Sequence, residues 1–128
     1  MARTMFEAYG GFGKLSKVVM AFYDRVVDSD GIGHYFDGVP MRRLIDHQTQ
    51  FVAQLMGGPL VYSDDMLRHV HAHLGIEDDG FDVMLELFQE TLEDFEFDPD
   101  DARELTSLLE RKRPLIVKAD AAATGTGP

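Results

Sequence analysis

The sequence predicts an all-α fold, on three observations. Apolar residues recur three, four and seven positions apart along most of the chain, the period of a helix with one buried face. Gly, Pro and Asp cut that pattern into segments of helix length. Val and Ile cluster, as in Val18-Val19 and Val26-Val27, but nowhere alternate with polar residues over the length of a strand.

The elements follow in order. Phe6 to Tyr9 is a short first helix stopped by Gly10-Gly11. Lys14 to Asp28 carries Leu15, Val18, Val19, Phe22 and Val26 and ends at Ser29-Asp30-Gly31. His34-Tyr35-Phe36-Asp37-Gly38 is a short aromatic turn. Pro40 suits a first helical position, where its missing N–H costs nothing. Met41, Leu44, Phe51, Val52 and Leu55 then keep the helical period up to Gly57-Gly58-Pro59. Leu60 to Asp65 reads as a loop, and Met66 to Leu74 as a short helix closed by Gly75. Asp78 or Asp79 caps the next helix, which runs to about Phe95 with Phe81, Met84, Leu85, Phe88, Leu92 and Phe95 on one side. Asp98 caps the last helix and Pro99 opens it. Leu105, Leu108, Leu109 and Ile116 line its inner face, and Pro114 should kink it or remove one hydrogen bond.

A chain of 128 residues is expected to form one domain, here over 1–118, and can bury roughly two thirds of its unfolded surface. The residues after 118 are small and lack an apolar face, so 119–128 read as a disordered tail. The 23 acidic and 12 basic residues leave a net charge of −11, which argues against nucleic acid and anionic membranes as partners. The absence of cysteine excludes disulfides, thiolate metal sites and thiol catalysis, and fits a reducing compartment. No apolar run has the length of a signal peptide core or a membrane span, so the expectation is a soluble cytoplasmic protein, taken as a monomer.

Polar residues interrupt three of the apolar stripes. Tyr23 lies four residues after Val19 and three before Val26. Gln48 lies four after Leu44 and three before Phe51, with His47 beside it. His71 lies four after Leu67 and three before Leu74. Each has a plain reading alone: amphipathic packing for Tyr23, a bond to a backbone carbonyl for Gln48, a boundary position for His47, a satisfied core imidazole for His71. Together they point to one shared pocket, with a metal-binding imidazole, hydrogen-bond donors and apolar walls between them.

His69, His71 and His73 resemble a metal motif only in one dimension. Residues two apart on a helix point about 200° apart, so His69 and His73 share a face that excludes His71. A zinc site from that pair lacks an evident third ligand, and both are expected to face solvent. No nucleophile elbow appears. Gly10-Gly11-Phe12-Gly13 lacks the phosphate-loop lysine and follows no strand, and Asp98-Pro99-Asp100-Asp101 is a helix start and not a calcium loop.

In order and spacing these pieces resemble the group I truncated haemoglobins, compact two-over-two helical globins that enclose a haem. Gly10-Gly11 resembles the family's first glycine motif, and Phe22-Tyr23 its B-helix signature. Tyr35-Phe36-Asp37-Gly38 is similar to the aromatic turn, with Phe36 as the haem-stacking ring. Arg43 to Phe51 followed by Gly57-Gly58-Pro59 resembles the distal helix and second glycine motif, and His71 with Leu74-Gly75-Ile76 the proximal segment.

The resemblance implies haem b as cofactor, with His71 as the axial iron ligand and its second ring nitrogen hydrogen-bonded locally. It implies Tyr23 and Gln48 as donors to iron-bound dioxygen, whose partial negative charge such donors stabilise. Leu44, Phe51, Leu55 and Phe81 would form pocket walls, Leu67, Val70 and Ile76 the proximal side, and Arg43 and Arg68 pair with the propionates. His47 stands where some cyanobacterial members place a second axial histidine; it either reaches iron or points toward the propionates or solvent. Those members also carry a late histidine that bonds covalently to the haem. Arg111-Lys112-Arg113 occupies that region here, so non-covalent haem is expected.

The implied activity is reversible binding of O₂, NO or CO, with oxygen carriage or oxidation of NO to nitrate as its use. Nitrate formation needs an unidentified reductase, because the chain carries no reductase domain. The alternatives are a bis-histidine electron-transfer haem protein, through His47, and a non-haem helical interaction module with a satisfied core His71.

Overall fold

The computed structural model describes residues 4–72 and 74–118. His73, Met1 to Arg3 and the 119–128 tail lie outside the described residues, and so do the expectations that rest on them. Seven α-helices are described: α1 Met5–Ala8, α2 Gly11–Asp28, α3 Met41–Leu55, α4 Asp64–His71, α5 Asp78–Asp94, α6 Pro99–Glu110 and α7 Arg113–Ile116. A 3₁₀ turn, Gly33–Phe36, joins α2 to α3. No strand occurs among the described residues, in agreement with the all-α expectation. No described helix is long and apolar enough to cross a membrane.

The helices form two layers. α2 packs on α3 and α5 on α6, while α2 also lies on α5 and α3 on α6. The apolar stripes read from the sequence make these contacts. Leu15, Val18, Val19, Phe22, Tyr23 and Val26 are all buried on α2, and Phe81, Phe88 and Leu92 on α5. Each such large apolar side chain contributes about 1.5–3 kcal/mol by leaving water. The smaller helices lie outside this square: α1 on α2, and α4 on α7.

Several boundaries differ from the sequence reading, each for a local reason. α2 begins at Gly11 instead of Lys14, because Gly10 takes a left-handed φ of 95° and turns the chain directly from one helix into the next. Pro40 is the N-cap of α3 and not its first residue, with ψ at 95° outside the helical region. α4 starts at Asp64, inside the stretch read as loop, because the Ser63 side chain accepts from the Met66 amide at 3.2 Å. It ends at His71 instead of Leu74. The Leu74 amide bonds the His71 carbonyl and Gly75 follows with φ of 67°, so glycine closes a turn beyond the helix. Glu77 takes the N-cap position of α5 without capping it, and Asp78 and Asp79 fall in the first turn. Asp98 does cap α6, accepting from the Asp100 amide at 2.9 Å, with Pro99 at the helix start. Beyond Glu110 the last helix is interrupted, and Pro114 sits in the first turn of a separate α7.

Candidate haem cavity

The two layers and α4 enclose one apolar cavity of about 330 Å³. Of the polar residues that interrupt the apolar stripes, Tyr23, Gln48, His47 and His71 all line it. They arrive from α2, α3 and α4, so the helix packing assembles what the sequence separates by up to 48 residues. Phe36, Leu44, Phe51, Leu67, Val70 and Ile76 line it as well.

Tyr23 is buried, and its ring meets Phe36 edge to face at 5.6 Å. Its hydroxyl and the Gln48 carboxamide have no hydrogen-bond partner among the described residues. Every side-chain N or O that is sealed from solvent does have one. The unsatisfied groups therefore open onto the cavity they line. Burial pushes the Tyr23 hydroxyl far above the ordinary phenol value, which keeps it a neutral donor. His71 holds the opposite chemistry. Its Nδ1–H donates to the Leu67 carbonyl at 2.7 Å, one turn back on α4. A carbonyl can only accept, so the bond places a proton on Nδ1; in the neutral ring the lone pair then lies on Nε2, the form that ligates a metal.

Other expected site residues lie elsewhere. Leu55 and Phe81 are not in the cavity wall. Phe81 is buried in the core, with the Arg113 guanidinium 4.6 Å over its ring. Arg68 is exposed and turned along its own helix to Asp65 at 3.2 Å. Arg43 lines a separate outer depression with Pro40, Arg42, Asp46 and His47. His47 lines both hollows, so this exposed imidazole stands at the margin between them. His69 is exposed, and no group of three potential metal ligands occurs among the described residues.

Sequence reasoning missed Tyr62, and it counted Phe88, Leu109 and Ile116 only as core; all four line the cavity. The three core residues sit on stripes that looked like ordinary packing. Tyr62 sits in a segment without periodicity, where no pattern marks an inward side chain.

The residues present fit a haem. The His71 imidazole and two neutral donors meet in a largely apolar hollow, the donor set of a gas-binding iron porphyrin. Met66, Val70 and Leu74 line it while 48%, 52% and 46% exposed, apolar surface of the kind a bound apolar group covers.

Comparison with known proteins agrees. The bacterial-like globin family model matches residues 4–117. A group 1 truncated hemoglobin of Tetrahymena thermophila is 30% identical over 91 residues, covering 71% of this chain and 75% of its own. The group 1 truncated hemoglobin GlbN of Synechocystis is 32% identical over 95 residues, covering 71% and 77%. The solved 2/2 hemoglobin of Synechococcus, described with covalently attached heme, superposes with a TM-score of 0.82 at 21% identity, over 90% of this chain and 98% of that one. Membership of the globin family carries haem-based gas binding as its general property. The two-layer helical fold agrees with these matches, and the chain belongs to the bacterial-like globins as a group 1 truncated haemoglobin.

Proposed function

We propose that the chain binds haem b without a covalent link and uses it to hold O₂, and likewise NO or CO, reversibly. The carrying observation is the convergence of His71, Tyr23 and Gln48 on one apolar cavity from three helices. The haem supplies the iron that takes the gas. The rest is the chain's work. His71 offers the Nε2 lone pair, held in that tautomer by the Leu67 carbonyl. Tyr23 and Gln48 donate hydrogen bonds into the cavity, which favours a ligand that gains negative charge on binding. Phe36, Phe51 and Leu44 keep bulk water from it. No histidine follows His73, which supports a non-covalent haem. We read the chain as a cytoplasmic monomer, its charge of −11 supporting solubility. Oxygen carriage fits this apparatus. So does oxidation of NO, in which NO, O₂ and one electron give nitrate and the electron comes from a separate reductase.

Titration of the purified chain with haem tests the reading. A Soret band saturating at one haem per chain is expected, with all haem extracted by acidified organic solvent. His71→Ala should shift that spectrum and weaken binding. No Soret band, or an unchanged spectrum and affinity in His71→Ala, refutes it.

The position of His47 on the cavity margin favours a second reading, in which it ligates iron and the protein transfers electrons. Sharply split visible bands in the ligand-free ferrous protein, lost in His47→Ala, would establish it.

A further inference from the structure

One side chain holds the loop between α3 and α4. Gln54, in the last turn of α3, donates from Nε2 to the Tyr62 carbonyl at 2.8 Å. Its Oε1 accepts from the Val61 amide at 2.9 Å and the Tyr62 amide at 2.8 Å. A carboxamide carries both donor and acceptor, so it satisfies both backbone groups of Tyr62 as a neighbouring strand would. With its backbone fixed, Tyr62 lays its ring in the cavity wall, edge to face with Phe51 at 6.4 Å. Phe51 precedes Gln54 by three residues and shares its side of α3. The same helix thus supplies the clamp on the Tyr62 backbone and the surface its ring leans on.

We propose that Gln54 is a positioning residue for the haem cavity, setting the Tyr62 ring in the wall through these three bonds. The inference rests on the haem-binding reading above. Burial raises the Tyr62 phenol above its ordinary value, in keeping with a ring held inside the wall. Glutamate at position 54 would keep the accepted bonds but turn a carboxylate oxygen on the Tyr62 carbonyl. Alanine would release all three backbone groups.

The test compares full-length, haem-loaded wild type with Gln54→Ala, Gln54→Glu, Tyr62→Ala and the double alanine variant. Amide exchange at Val61 and Tyr62 should quicken about tenfold in Gln54→Ala, since the lost bonds protect those amides. Transfer of haem to excess apomyoglobin should quicken several-fold in Gln54→Ala, and to a lesser degree in Gln54→Glu. The double variant should lose haem no faster than Tyr62→Ala, because Gln54 acts through that ring. Unchanged haem loss in a folded Gln54→Ala overturns the proposal. Additive losses in the double variant also overturn it, since Gln54 would then stabilise the fold without placing Tyr62. Should Gln54→Ala not fold, Gln54→Glu carries the same comparisons. A wild type that takes up no haem removes the haem reading and this proposal together, and is recognised because wild type is the reference in each measurement.

Discussion

Tyr23 is a buried residue whose hydroxyl opens onto the cavity without a partner among the described residues, and this separates its role in stability from its role in binding. The hydroxyl makes no hydrogen bond to the rest of the fold, so Tyr23→Phe should leave the haem-free chain within about 1 kcal/mol of the wild type in urea unfolding. In the haem-loaded protein the same change should raise the O₂ dissociation rate on the order of tenfold or more, measured by stopped flow, because a donor to the bound ligand is lost. A lower stability with unchanged O₂ release would reverse both roles. The pH dependence has a definite sign. Burial raises the folded-state pKa of Tyr23 above the ordinary 10.0, so above that pH the unfolded chain releases a proton that the folded chain keeps. The contribution is therefore whole below pH 10 and is lost as pH rises further, a loss Tyr23→Phe should diminish. The residue was legible as a polar break in an apolar stripe; its lack of a partner was not, since satisfaction depends on atoms from other helices.

At the scale of the element, α5 ends in a way its sequence conceals. The Phe97 amide bonds the Leu92 carbonyl at 3.0 Å and the Glu96 amide bonds the Glu93 carbonyl at 3.0 Å, a Schellman pair. The left-handed position belongs to Glu96, with φ of 61°, where glycine is the usual choice. A Cβ there is strained, so Glu96→Gly should raise stability by about 1 kcal/mol, seen as a higher urea midpoint with the same slope. A lower midpoint would mean that chain entropy outweighs the relief. Helix centres were readable throughout because burial enforces the 3.6-residue period. Ends were not, because capping by Ser63 or closure by Glu96 depends on one or two hydrogen bonds that several neighbouring residues can make. α4 shows the cost of that ambiguity. It begins two residues before its first apolar residue and ends on His71 itself.

On the scale of the molecule, Arg113 joins the C-terminal helix to the rest. Its guanidinium reaches Asp78, Asp82 and Glu110 while covering the buried Phe81 ring. These bonds raise its pKa, so it stays charged at every workable pH. The carboxylates are about half exposed or more, which limits the ionic part. Arg113→Ala should lower stability by about 1–2 kcal/mol, part of it persisting in high salt because ring coverage is not screened. Arg113→Lys should rescue little, since an ammonium cannot fork among three carboxylates. A loss abolished entirely by salt would assign the effect to charge alone. Lys112 to Asp64 at 3.1 Å and the Lys118 amide to the Ile76 carbonyl at 2.7 Å tie the same C-terminal segment to either side of His71.

The sequence by itself determined the helical class, the buried face of each long helix and the inward direction of Tyr23, Gln48 and His71. All three follow from spacing along one helix, which is a local property. Only the tertiary structure decided that these residues share a cavity, that Leu55, Phe81 and Arg68 lie outside it, and that Tyr62 belongs to it. Those are matters of which helix crosses which, and of where a loop is clamped. They are set by side chains far apart in the chain, and no period along it records them.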